Sequence, residues 1–397
     1  MAVLATFADR LMGQPLFQLM QEADELSLDG TDVVHFEIGG LDFNSPAAAV
    51  SAAKLALDAG ETGYTDSRGL REFREAIADH TERTLGFRPS LPQILVCPAN
   101  AVVEFLVRCV ADHGDEVIIP DPSFPTYRAV LSHTAVVTRT VKLEEQTGFD
   151  MEPEKVRAML NSRTRLIIVN SPGNPTGSCL SEEAVTEITR AAQQHNCLLL
   201  SDEVYAGMSY EIPHHSPAQH DQCRERTVVL GSLSKSHAMA GWRLGYAIGP
   251  EPVIEKMGLL LQTTLLCLPP FAQRGGIAAL AQGDRISREL MPQLRERRDR
   301  LVHGLQRLPG LECRVPDGAF FAFPRVVSTT MDDVSYARRL LAEEAVCVVP
   351  GSHFGAAGSG FVRFSYSAAP ITRIDAALER LERFHAKHFE GAKVPAV

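Results

Sequence analysis

Through the middle of the chain, short apolar runs recur between stretches with helical spacing. Gln93-Ile-Leu-Val-Cys97, Glu116-Val-Ile-Ile119, Arg165-Leu-Ile-Ile-Val-Asn170, Cys197-Leu-Leu-Leu-Ser201 and Thr227-Val-Val-Leu-Gly231 are near-continuous rather than alternating. That is the pattern of strands covered on both faces. Amphipathic stretches lie between them, from 70 to about 80, from 100 to 111 and from 181 onward. Alternating strands and helices over residues 47–283 predict an α/β domain, a mostly parallel sheet sandwiched by helices, with functional side chains gathered at strand ends. The two chain ends read differently. Residues 1–30 suggest an arm and helix with Phe17, Met20 and Leu26 as anchors, followed by the strand-like Val33-Val-His-Phe-Glu-Ile38. Near the other end come a long helix from about 286 to 308, short strands around 311–323 and 346–365, and a terminal helix from about 372. Residues 1–46 and 284–397 are therefore expected to form a smaller α+β domain beside the large domain of 47–283.

At 397 residues the chain is long enough for that division. With 39 basic against 49 acidic side chains, its net charge of −10 speaks against nucleic acid or an anionic membrane surface as partner. Apolar runs such as Met257-Gly-Leu-Leu-Leu261 are too short to span a bilayer. Residues 1–10 carry an early charge pair in place of the order of a signal peptide. The eight cysteines are scattered without a C-x-x-C pair, several of them in apolar runs, which predicts buried free thiols and fits a reducing cytoplasm.

Chemistry concentrates where the apolar runs end. Lys235 follows the 227–231 run within Ser232-Leu-Ser-Lys-Ser-His-Ala-Met-Ala-Gly-Trp-Arg-Leu-Gly245. A lysine just past a buried strand reaches a pocket, where desolvation lowers its pKa and favours Schiff-base formation with a carbonyl. The flanking hydroxyl and the Arg243 guanidinium are what a phosphate needs. Alone, the same residues describe a loop on a solvated face. Asp202 ends another buried run, a costly place for a carboxylate unless a cation pairs with it; a helix-capping aspartate is the plainer reading. The 93–97 run leads into a helix whose N-terminal N–H groups and dipole suit an anion, with Asn100 placed to cap it. Phe124 and Tyr127 sit in a proline-rich turn, and Tyr127 reads best as a core aromatic. Arg363 alternates with Phe361 and Ser365 on one strand face, either as a surface arginine on an edge strand or as a planar clamp for a carboxylate.

Together these segments resemble the fold-type I, class I/II aminotransferases, which are pyridoxal phosphate enzymes. The resemblance rests on Ser232-x-Ser234-Lys235 with Gly241-x-Arg243-x-Gly245, Asn170-Ser-Pro-Gly-Asn-Pro-Thr-Gly177, Asp202-Glu-Val-Tyr205, Pro122-x-Phe124-Pro-x-Tyr127, Pro316-Asp-Gly-Ala-Phe320 and Pro350-Gly-Ser-His-Phe-Gly355, in family order over nearly the whole chain. It implies that Lys235 carries pyridoxal 5'-phosphate as a Schiff base and serves as general base. Asp202 would face the ring nitrogen, Asn174 and Tyr205 the phenolate oxygen, and Phe124 would stack on the ring. Asn100, Ala101, Ser232, Ser234 and Arg243 would hold the phosphate, together with Tyr64 from a neighbouring subunit of a homodimer. Gly39, Asn174 and Arg363 would hold the substrate carboxylate. The implied reaction moves an amino group from an L-amino acid to a 2-oxo acid. Departures at Gly40, Leu41 and Ala99 keep a lyase, cyclase or oxidase open on the same cofactor. A non-catalytic sensor domain would need a helix-turn-helix and a basic face, which the chain lacks. No arginine occurs in Gln262-Thr-Thr-Leu-Leu-Cys-Leu-Pro-Pro-Phe271, roughly where some dicarboxylate-specific members of the resembled family carry one, and this disfavours aspartate and glutamate as preferred substrates.

Overall fold

The computed structural model describes residues 4, 5, 8–283, 285–327 and 331–389; of the opening ten-residue run, 1–3, 6 and 7 lie outside them. Its centre is a seven-stranded sheet in the order Ile94–Cys97, Gly245–Ile248, Thr227–Ser232, Leu198–Asp202, Thr164–Asn170, Glu116–Asp121, Val137–Lys142. From Thr227–Ser232 to Val137–Lys142 all neighbours are parallel, while Gly245–Ile248 runs against both of its own. The near-continuous apolar runs are explained by cover on both faces. Val228 and Leu230 pack with Val102, Leu106 and Met257, whereas Val229 between them packs with Phe73, Ile77 and Ala279. Farther along the sheet, Ile167 and Leu199 meet Val185 and Ile188 of the helix Glu182–Gln194.

Helix boundaries correct two expectations. The helix after Ile94–Cys97 is Ala99–Val110, with Pro98 in the cap position, so Asn100 lies inside the first turn and does not cap it. Proline supplies the fixed φ of an entering chain, and the helix starts one residue early. The helix expected to end near 80 continues as Arg71–Leu85 and stops at Gly86, whose φ of 79° is a left-handed cap.

The chain ends meet in a second unit. Val34–His35 pairs in parallel with Val346–Cys347, and Val362–Ser365 lies between Phe321–Ala322 and Val349–Pro350 with antiparallel pairing. Phe36, Leu294, Leu340, Phe364 and Phe384 form its core with the helices Arg285–Gln306 and Ile371–His388. The anchors of the helix Leu16–Leu28 are Leu19 and Ala23, with Leu26 half-buried beside them; Phe17 is 54% exposed. All eight cysteines are unpaired, Cys109 and Cys267 half-buried and the rest buried. No described helix is long and apolar enough to cross a membrane.

Candidate active site

A cavity of ≈ 420 Å³ opens at the carboxyl ends of the sheet strands, closed on its far side by the second unit. Parallel strands bring their carboxyl ends to one edge, so residues far apart in sequence stand side by side. Asn170 and Asp202 are direct ladder partners, and Ser232 ends the next strand. The chain then turns into the short helix Leu233–Ser236, where the Ser232 hydroxyl accepts the Ser234 N–H at 3.1 Å and so fixes where Lys235 points.

Lys235 Nζ donates to the Gly39 carbonyl at 2.5 Å. Burial, with Arg363 and Arg243 as neighbouring positive charges, pulls its pKa down to about 8. The neutral amine is therefore far more accessible near neutral pH than in an unperturbed lysine.

Asp202 is buried at the end of its strand. Its Oδ2 accepts the Tyr127 hydroxyl at 2.5 Å and its Oδ1 the Val204 N–H at 3.3 Å. Burial pushes its pKa up to about 6, although both hydrogen bonds work the other way. A carboxylate held so far from water suits a cationic partner on the cavity side. Tyr127 was expected to be only a core aromatic. It is fully buried, but its hydroxyl is a polar brace on Asp202, and its ring meets Phe124 edge-on at 5.8 Å. Nothing in the local sequence reports that bond, because its partner lies 75 residues on. A tyrosine in the core whose hydroxyl needs a partner was the available signal.

Arg363 is 2% exposed, on the middle strand of the three-stranded sheet. Its Nη1 donates to Asn174 Oδ1 at 3.0 Å and its Nη2 to the Glu37 carbonyl. The ring centroids of Phe321 and Phe354 lie 4.7 and 4.8 Å from the guanidinium carbon. Burial lowers its pKa to about 10, so it stays charged at neutral pH. Among the described residues its Nε has no hydrogen-bond partner. Tyr205 is braced edge-on by Phe320 and Phe321 at 5.4 and 5.6 Å. Burial raises its pKa, and Arg363 and Asn174 beside it oppose that.

At the other end of the cavity, Ala99 and Asn100 open the helix Ala99–Val110. The close approach depends on Gly245, where a Cβ would stand 2.8 Å from the Ala99 backbone nitrogen. Arg243 lines the same end in the left-handed region at φ 59°, a conformation costly for arginine.

Of the residues singled out in the sequence, Gly39, Asn100, Phe124, Asn174, Asp202, Tyr205, Ser232, Ser234, Lys235, Arg243 and Arg363 line this one cavity. Ala101 and Tyr64 do not. The Ala101 N–H already donates to the Pro98 carbonyl at 2.9 Å, inside the first turn. Tyr64 is 87% exposed on the surface. Of the departures, Gly40 also lines the cavity and Leu41 packs on the core of the second unit. Sequence reasoning missed Gln14, Leu16, Phe17, Ile38 and Val103 as lining residues. Gln14, Leu16 and Phe17 come from the arm, Ile38 from the segment before Gly39 and Val103 from the helix Ala99–Val110.

A half-buried lysine, a buried carboxylate and a buried guanidinium meet in one cleft, a combination typical of functional sites. Residues 31–381 match the family model for aminotransferase class I and II. The aspartate aminotransferase of Bacillus subtilis is 34% identical over 97% of this chain and 99% of its own. The arginine–pyruvate transaminase of Pseudomonas aeruginosa is 33% identical over 84% and 85%. The solved alanine aminotransferase of Pyrococcus furiosus superposes with a TM-score of 0.92 at 29% identity, covering 97% and 100%. The chain belongs to the class I and II aminotransferase family. It is an enzyme of amino-group transfer between an amino acid and a 2-oxo acid, and aminotransferases of this family use pyridoxal phosphate.

Proposed function

We propose that this chain binds pyridoxal 5'-phosphate in the cavity and uses Lys235 both to hold it and to move the proton at the substrate Cα. The observation that supports this most is the meeting of a desolvated Lys235, a buried Asp202 and Arg363 around one cavity. The residues present fit the group. Asp202 suits the protonated ring nitrogen, Phe124 the ring face, and Asn174 and Tyr205 the phenolate oxygen. Ser232, Ser234, Arg243 and the N–H groups opening the helix at Ala99 suit the phosphate. Bound there, the cofactor supplies an electron sink for the charge left at Cα. The protein's share is orientation and proton handling. Arg363 and Asn174, with Gly39 alongside, fix the α-carboxylate, so that the Cα–H bond faces Lys235 Nζ. Lys235 Nζ, whose pKa is lowered to about 8, would in its neutral form accept the proton from Cα and serve as its carrier within the site. The Tyr127 hydroxyl, donating to Asp202 Oδ2, would hold that carboxylate in place for the ring nitrogen. The exposed Tyr64 is read as reaching the phosphate of a second subunit in a homodimer, and the cytoplasm as the place of action.

Lys235→Ala should abolish the visible absorbance of the lysine-bound cofactor and lower turnover by more than about 10⁴-fold. A purified variant that keeps either overturns the assignment of Lys235.

A further inference from the structure

Resting on the reading that Arg363 grips the substrate α-carboxylate, we infer that Glu37 is a positioning residue: its buried carboxylate, paired with His35, sets the register of the backbone whose carbonyls meet Arg363 and Lys235. The segment is tied into the second unit on both sides. Val34–His35 pairs with Val346–Cys347, the Phe36 N–H donates to the Cys347 carbonyl at 2.9 Å, and the Phe36 carbonyl accepts the Ser365 N–H at 2.8 Å. Just beyond, the Glu37 carbonyl accepts Arg363 Nη2, and the Gly39 carbonyl accepts Lys235 Nζ at 2.5 Å. Main-chain oxygens two residues apart thus reach both of the cations to which the proposed reaction assigns carboxylate binding and proton transfer.

What fixes those oxygens is whatever pins the strand. Glu37 Oε1 lies 2.8 Å from His35 Nδ1, while Phe36 between them enters the core of the second unit. The Glu37 side chain is 1% exposed and that of His35 37%. A carboxylate so deep is costly unless it is paired, and the pairing is met in one alignment only. A slip of one residue would exchange the places of Phe36 and Glu37. An aliphatic side chain would avoid the cost of burial but would specify the alignment less sharply. Neither His35 nor Glu37 lines the cavity. Removing a negative charge near Arg363 would by itself tighten the binding of an anion, whereas loosening the register weakens it. The sign of the effect therefore separates the two.

Propanoate, an unreactive carboxylate, is titrated into the holoenzyme by calorimetry. Glu37→Leu should weaken it about tenfold and melt no lower than the parent. In turnover it should raise KM and lower kcat together, because both carbonyls shift. His35→Ala should weaken propanoate about fivefold, and His35→Gln, which keeps an amide donor for the carboxylate, should recover most of that loss. Unchanged or tighter propanoate binding by Glu37→Leu overturns the positioning role. So does weaker binding that only follows a fall in melting temperature. Should Glu37→Leu fail to fold, the His35 pair decides: equal affinities in His35→Ala and His35→Gln overturn the inference, and recovery in His35→Gln alone supports it. Propanoate bound as tightly by Arg363→Lys as by the parent instead overturns the carboxylate assignment of Arg363 on which the inference stands.

Discussion

On the sheet side of the cavity, Asn170, Asp202 and Ser232 end three adjacent parallel strands, and backbone ladders fix their spacing. On the opposite side, Arg363 arrives on a four-residue strand of a small antiparallel sheet and is held by side-chain and carbonyl contacts from both directions. One wall takes its precision from continuous secondary structure, the other from packing between segments hundreds of residues apart. The sheet wall carries the groups assigned to the chemistry. The packed wall carries those assigned to recognition. Rigid scaffolding goes to the atoms that must hold still, while adaptable packing goes to the part that distinguishes ligands.

Three substitutions would break or sharpen that contrast. The largest effect belongs to Asp202→Asn, which removes a buried charge and leaves the fold's geometry. Turnover should fall by about 10³-fold, while the cofactor-free protein melts no lower than its parent, because the desolvation that lifts this carboxyl to about 6 is relieved. A large drop in melting temperature would mean that Asp202 serves the fold instead. Next comes Arg363→Lys, where a planar fork is replaced by a point charge. It should cost about 2–3 kcal/mol, or roughly 10²-fold in kcat/KM. The loss should fall mainly in KM, with cofactor absorbance retained; loss of the cofactor would erase the distinction between the two walls. The smallest effect is expected for Tyr127→Phe, about 1 kcal/mol for one hydrogen bond. That bond favours the ionised Asp202, so removing it raises the carboxyl's pKa. The acid limb of the pH–rate profile should then move to higher pH, and a limb that stays in place would assign Tyr127 to packing alone.

The sheet wall was largely legible from the sequence, because near-continuous apolar runs and the residues that stop them are local signals. Asp202, Asn174 and Ser232-Leu-Ser-Lys235 could be placed at strand ends before any fold was known. The packed wall was legible only as isolated residues. Arg363 could be picked out, but its bond to the Glu37 carbonyl spans 326 residues and leaves no trace in either segment. Phe17 reads as an anchor from its spacing on the helix Leu16–Leu28, yet Leu19 and Ala23 take that role and leave Phe17 at the cleft. Asn100 was misread as a cap because Pro98 takes the cap position and the helix begins at Ala99.

Arg363 is not a vacant cation waiting for an anion. Two of its nitrogens are already engaged with Asn174 and Glu37. If Arg363 holds the substrate carboxylate as proposed, docking it would be a trade between protein acceptors and ligand oxygens, with a smaller net gain than capture by a free guanidinium. Such a site moderates affinity for substrate and product alike while still dictating their pose. For a reversible exchange in which each half-cycle must release one acid before admitting another, a grip that loosens as readily as it closes keeps the traffic moving.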